Sequence, residues 1–209
     1  IFLIITFFCF LFYILFFRKT DKIPFRFLLV SICLLGLLSY PAFSHDIFNY
    51  IFDARILIFH HANPYTSTAL MFPFDDWTRF MNWTHRTYPY GPVFLPLSIP
   101  VYLLGLNKFI LTLFWFKALM MAAYAGSIYV IYKLVGKRGA VFFALNPLII
   151  YEAVVAGHLD IVMLFFALAA VYKKSYLLWL FSAGIKYVTV ILPPRLSVKW
   201  LIVLAYVGA

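Results

Sequence analysis

Residues 1–17 are uncharged and, Thr6 apart, apolar. A helix of ~20 apolar residues matches a hydrocarbon core of ~30 Å, so this run can cross a bilayer with little tilt. A basic stretch follows (Arg18, Lys19, Lys22 and Arg26, with Asp21 among them), then a second apolar run over 27–43 that ends near Pro41. From Ser44 to Gly91 the pattern turns polar. Apolar runs return at 92–106, interrupted by Pro92, Pro96 and Pro100, and at 109–132, with Lys117 inside. Lys137 and Arg138 precede 139–156, and Gly157-His158-Leu159-Asp160 breaks the pattern before 161–172. Lys173 and Lys174 lead into 175–194, which holds Lys186 and closes on Pro193-Pro194. The last run, 200–209, is short, so the chain is expected to be a fragment cut inside a segment. These roughly eight hydrophobic segments predict an all-α fold, a polytopic transmembrane helical bundle with an extracytoplasmic loop containing interfacial helices. No repeat or low-complexity linker divides the chain, so 1–209 reads as a single transmembrane domain truncated at its C-terminal end, with 44–91 as the extracytoplasmic loop within it.

Composition excludes the main alternatives. Hydrophobic residues make up 66%, aromatics 22% and charged residues 11%. Soluble domains carry roughly 45–50% apolar and about 25% charged residues, and disorder needs low hydrophobicity. Lys and Arg number 17 against 7 acidic residues, a net charge of +10. The basic residues sit in short stretches between apolar runs, as expected for cytoplasmic loops beside anionic headgroups. Membrane lipids are therefore the expected partners and nucleic acid is not. Cys9 and Cys33 lie inside apolar segments and read as small buried hydrophobes. The first run lacks a small-residue cleavage site and is followed by further spans, against a signal peptide.

The basic loop at 18–26 places that side in the cytoplasm and 44–91 outside. Counting crossings at 92–106 and 109–132 then puts Lys137 and Arg138 outside, against the charge rule. Either one of those segments is re-entrant or the bias fails locally.

The outer stretch carries the chemistry. It holds four Asp, four His and three Arg. Residues 46–61 read as a helix at the membrane interface. On a wheel of 100° per residue with Asp46 at zero, Asp53 falls at about 340°, His60 at about 320°, Asn49 at about 300° and Tyr50 at about 40°. Two carboxylates about 10 Å apart thus share a stripe, and the apolar side is free to face lipid. Arg55 falls on the apolar side and has to snorkel or pair. Asp46 follows an apolar span directly, where desolvation favours a proton-abstracting carboxyl; capping the following helix is the structural alternative. Tyr65, Trp77, Trp83, Tyr88 and Tyr90 can stack on sugar rings or form an interfacial aromatic belt. Asn82-Trp83-Thr84 is a formal glycosylation sequon. Inside the apolar runs, Glu152, His158, Asp160 and Lys186 are costly enough to suggest function, with Lys186 reaching a lipid-linked phosphate or a carboxylate. Lys117 is expected to snorkel.

Asp46-Ile47-Phe48-Asn49-Tyr50-Ile51-Phe52-Asp53-Ala54-Arg55, then Asn63-Pro64-Tyr65, then Tyr88-Pro89-Tyr90-Gly91-Pro92, resembles the GT-C superfamily of glycosyltransferases, and within it the polyprenol-phosphate-mannose-dependent mannosyltransferases, including the GPI mannosyltransferase I type. Asn146-Pro147-Leu148 with Gly157-His158-Leu159-Asp160, and Ile185-Lys186-Tyr187 through Leu192-Pro193, are similar to later stretches of that family in the same order. The likeness spans about residues 40–194. It implies an integral-membrane, inverting hexosyltransferase. This would move a sugar, mannose above all, from a polyprenyl- or dolichyl-phosphate donor to an extracytoplasmic glycan or lipid acceptor. Asp46 matches the second acidic position of the family motif, which implies the general base, with Asp53 beside it as the second catalytic acid. The first acidic position is His45 here, so no metal and no cofactor is expected. Asn49 replaces an Arg often found there, which leaves the donor phosphate to Arg86 or Lys186. Tyr88, Tyr90, His158 and Asp160 complete the substrate-binding set. The implied location is a bacterial or archaeal cell membrane, or the ER membrane, with the site facing outward.

A secondary transporter or polyprenyl-lipid flippase is the competing class, since broken helices and buried Glu152, Asp160 and Lys186 suit it too. The acids at Asp46 and Asp53 lie in one outer loop and no repeat is evident, which favours the enzyme. A membrane scaffold without activity is the third reading.

Overall fold

The computed structural model describes residues 2–18, 20–22, 24–42 and 44–191. The run at 200–209 and the Leu192-Pro193 step lie outside the described residues. Helices α1 (Phe2–Phe17), α2 (Phe25–Leu38), α3 (Asp46–Ile58), α4 (Phe94–Leu104) and α5 (Phe109–Ala144) are followed by α6 (Pro147–Ala156), α7 (Asp160–Lys173) and α8 (Tyr176–Ile185). The described residues form no strand, so the all-α expectation holds. Among them, α5 is the one helix long and apolar enough to cross a membrane alone; α6 and α7, bent by 117°, qualify only together. The apolar helices α1, α2, α4 and α8 are shorter.

Each predicted boundary has a local cause. Asn146 caps α6 by accepting from the Leu148 amide at 2.9 Å, and Pro147 takes the first-turn position where its missing N–H costs nothing. Gly136 sits at φ 78° and ψ −175°, which breaks α5 beside Lys137 and Arg138. The run expected at 109–132 is therefore extended to Gly136, and a second helical piece follows the break.

The core lies where α3, α5 and α7 meet. Ile47, Phe48, Ile51, Phe116, Met120, Tyr124, Leu159 and Val162 belong to one buried cluster. In contrast, Phe7, Phe12, Phe27, Leu35 and Leu38 of α1 and α2 point outward. Cys9 is exposed on that outer surface, not buried as its apolar context suggested, while Cys33 is half-buried.

Two features bear on what the charge pattern left open. α4 has 11 residues, a rise of ~16 Å, and cannot cross a ~30 Å core by itself. The start of the chain also meets the far end of α5. Tyr13 donates to the Phe142 carbonyl at 2.9 Å, and the Arg138 guanidinium lies over the Phe17 ring at 5.1 Å. The basic stretches at 18–26 and 137–138 therefore share one end of the molecule. Lys173 closes α7 about 20 Å along the helix from Asp160, again away from α3.

Candidate functional site

α3 is the structural centre of the site, and it is encased. Ile47 through Ile56 are all buried. This corrects the expectation of an interfacial helix with one face in lipid: α4, α5 and the tight turn Asp76–Phe80 cover its apolar side. Arg55 shows why this is possible. Its guanidinium lies between the Phe59 and Trp77 rings, 4.0 Å from each centroid, and its Nε donates to Asp75 Oδ2 at 2.6 Å. Nη1 donates to the Tyr102 hydroxyl at 3.0 Å and to Asn107 Oδ1. Of the two sequence alternatives, snorkelling or pairing, Arg55 pairs. Asp75 also takes bonds from the Trp77 amide at 3.1 Å and from His60 at 2.7 Å. Burial pushes the Asp75 carboxyl up, but Arg55, Trp77 and His60 together outweigh it and hold it below the usual range. His60 thus leaves the Asp46 stripe to bind Asp75.

The N-terminal end of α3 opens onto a cavity of about 440 Å³. Asp46, Asn49 and Asp53 form one wall, one above another on a helix face, and Trp83, Arg86 and Tyr90 border it from the returning loop. Asp46 is the first helical residue, not the cap. The cap is His45, whose Nδ1 lies 2.7 Å from the Phe80 carbonyl. A carbonyl only accepts, so that nitrogen carries its hydrogen. A first-turn carboxylate is favoured by the helix dipole. Asn49 and Asp53 are 7% and 6% exposed, and Asn49 Oδ1 has no hydrogen-bond partner. Burial alone pushes the Asp53 carboxyl up to about 8. Asp53 is therefore largely protonated at neutral pH and can donate a hydrogen bond. Arg86, solvent-exposed, stacks over Trp83 at 4.1 Å and has no carboxylate partner among the described residues.

Behind Asp46 stands the α6–α7 bend. Residues Ile150–Ala156 are wound with the wider π spacing and end at Gly157 in the left-handed region, φ 72°. A Cβ there would be strained and would meet Ile47 Cδ1 of α3 at 3.0 Å. The close approach brings His158 Nε2 to 3.7 Å from Asp46 Oδ2, while His158 Nδ1 binds Glu152 Oε2 at 2.7 Å. The Leu159 amide donates to the Tyr50 hydroxyl at 3.4 Å. Lys117 fastens the bend from α5. It is 1% exposed and donates to the Val154 and Val155 carbonyls and to Ser39 Oγ, the last at 3.0 Å. It does not snorkel, because carbonyls left free at the end of the π turn offer it partners inside.

Asp46, Asp53, Arg86 and Tyr90 thus line the cavity. Tyr88 is buried beside it and donates to the Gly91 carbonyl at 3.2 Å. Lys186 grips both oxygens of Asp160, at 2.7 and 2.8 Å. The Gly91 and Val93 amides, bonded to the Ile185 and Gly184 carbonyls, tie the returning loop to that pair's base. Ser44, Met81 and Thr87 also border the cavity and carried no sequence signal; Asn82, marked in the sequence only as a glycosylation sequon, borders it too. Asp75, the anchor of Arg55, was equally invisible, since its partner lies 20 residues away.

A family model described as "Alpha-(1->6)-mannopyranosyltransferase, N-terminal domain" matches residues 23–204. No curated protein and no solved structure matches the chain.

Proposed function

The chain belongs to the alpha-(1->6)-mannopyranosyltransferase family, and from that premise we propose a complete reaction for it. Membership in a mannosyltransferase family brings a sugar donor and a glycan acceptor, and it favours the transferase over the transporter or scaffold. On the proposed reading the donor is a polyprenyl- or dolichyl-phosphate mannose, and the acceptor is an extracytoplasmic glycan or glycolipid. The observation that supports this is the cavity in which the α3 carboxyl groups face a guanidinium that has no carboxylate partner among the described residues.

The chemistry follows from those groups. Asp46 takes the proton of the acceptor hydroxyl as that oxygen attacks the anomeric carbon. The bond to the lipid phosphate breaks, and Arg86 meets the charge that develops on the departing oxygen. Asp53, holding its proton, donates to a sugar hydroxyl and orients the ring. Tyr90 closes the cavity beside it. Tyr88, His158, Asp160 and Lys186 shape the wall behind, and the Lys186–Asp160 pair leaves Arg86 as the cation facing the phosphate. A single displacement inverts the anomeric centre, so an alpha product requires a β-linked donor. A 1→6 bond requires a primary hydroxyl, which projects clear of the acceptor ring toward the base. The scheme uses neither metal nor cofactor.

The membrane setting completes the proposal. α5 and the α6–α7 pair cross a bacterial, archaeal or ER membrane, with the shorter apolar helices beside them in a multi-pass bundle. The outward-facing apolar residues of α1 and α2 meet lipid. The basic end lies in the cytoplasm, and the cavity with the 44–91 loop lies on the opposite face.

The decisive experiment is Asp46→Asn in the full-length enzyme, assayed with labelled polyprenyl-phosphate mannose. Turnover should fall by about 10²–10⁴. Unchanged turnover would remove Asp46 from the role.

A further inference from the structure

We propose that His158 and Glu152 act with Asp46 as a relay that carries the acceptor's proton out of the cavity; this rests on the reading of Asp46 as the base. Three side chains stand in line across two elements. Asp46 Oδ2 lies 3.7 Å from His158 Nε2, and His158 Nδ1 lies 2.7 Å from Glu152 Oε2. Their side-chain exposures are 30%, 23% and 40%, so the outermost carboxylate is the one most open to solvent.

The long gap is informative. A Glu152 carboxylate only accepts, so the hydrogen of a neutral His158 ring is on Nδ1, and Nε2 presents a lone pair. Nε2 is buried and has no hydrogen-bond partner. It faces Asp46 Oδ2, a carboxylate oxygen and thus another acceptor. Two acceptors do not close to ~2.9 Å; a proton placed between them closes the gap. The orphaned nitrogen is therefore satisfied once Asp46 has taken a proton from substrate.

The step balances. The acceptor O–H bond breaks as the new bond to the anomeric carbon forms, and the old bond to the phosphate oxygen breaks with its electron pair. The proton goes to Asp46 and then to His158 Nε2. The resulting imidazolium, stabilised by the Glu152 charge, passes its Nδ1 proton to Glu152, which releases it to solvent; exchange with solvent returns the remaining ring hydrogen from Nε2 to Nδ1, and Asp46 is again a base. Lys117, Tyr50, Tyr90 and the Asp160–Lys186 pair are titratable groups near this line. His158 and Glu152 act through Asp46 and are positioning residues. Their pairing directs them to the base, not to the sugar.

A purely structural role, stapling the Gly157 turn, predicts a different result. Glu152→Gln keeps an oxygen to accept from Nδ1 but removes the charge. Relay function predicts a drop in kcat of about tenfold to a hundredfold, with KM for donor and acceptor unchanged, and recovery in Glu152→Asp. His158→Ala should lose kcat more severely and regain part of it with added imidazole. Each variant is read in the full-length enzyme beside Asp46→Asn. If Asp46→Asn is inactive while Glu152→Gln keeps wild-type kcat, or imidazole fails to rescue a folded His158→Ala, the relay is overturned and the base assignment stands. If Asp46→Asn is active, the base assignment itself fails and the relay with it.

Discussion

Burial decides the protonation state of Asp53, and that has a measurable consequence. The folded chain holds its carboxyl proton up to about pH 8, against 3.8 for an unperturbed aspartate. Between those values the folded state binds more protons than the unfolded state, so stability falls as pH rises through that window. Asp53→Asn removes this slope. Thermal unfolding in detergent at pH 5 and pH 8 should show the wild type losing Tm across the interval relative to Asp53→Asn. A second residue-level prediction separates the two cations. Arg86→Ala should raise KM for the lipid-phosphate donor or depress kcat by about tenfold or more, since a charge-assisted contact is worth about 1.5–3 kcal/mol. Lys186→Ala acts through Asp160, and steady-state kinetics should show the smaller effect on donor KM. At this scale the sequence was readable in part. A helical wheel placed Asp46, Asn49 and Asp53 on one stripe, and all three border the cavity. It failed for His60 and left open whether Arg55 pairs or snorkels, because helical periodicity knows only neighbours within the helix, and Asp75 comes from a later turn.

Among the elements, the bend between α6 and α7 matters most. The sequence marks it with Gly157 and a run of polar residues. Periodicity did not give the π winding of Ile150–Ala156, nor the 117° angle. Both depend on tertiary contacts: the Lys117 ammonium on the terminal carbonyls and the seat of Gly157 against Ile47. Gly157→Ala should cost about 1–3 kcal/mol of stability from the positive φ and the close Ile47 contact. It should also displace His158, so activity at a temperature where the variant is folded falls as well. Lys117→Met keeps the length of the side chain but orphans the Val155 carbonyl and leaves the Val154 carbonyl only the Ser39 hydroxyl at 3.3 Å, at about 1–3 kcal/mol for a buried unsatisfied group. Unfolding midpoints for both variants check these values.

At the scale of the whole molecule the chain has a charge polarity. The 18–26 stretch and Arg138 meet at one end, α7 carries Lys173 away from the site, and the acids of α3 face the other end. Hydropathy alone, counting 92–106 as a crossing, put Lys137 and Arg138 opposite the 18–26 stretch, whereas Arg138 packs over Phe17 beside it. A rise of ~16 Å in α4 does not reach across a bilayer, and contact between α1 and the end of α5 needs three dimensions to be seen. Labelling tests the arrangement. With Cys9 and Cys33 replaced by Ala, a single cysteine from Arg138→Cys should react with an impermeant maleimide only after the membrane is opened. One from Asn82→Cys should react in intact cells.

The full enclosure of α3 also bears on how such a site changes over time. From Ile47 to Ile56 every side chain is packed, so a helix that carries the acids has almost no position free to drift. The opposite wall is a solvent-exposed loop around Asn82, Trp83 and Arg86, tied down at its ends and by the Leu70 amide on the Thr84 carbonyl. New acceptor preferences should therefore arise by rewriting that loop over an unchanging helix, so that divergence in what is glycosylated and constancy in how it is glycosylated are recorded on facing sides of the same hollow.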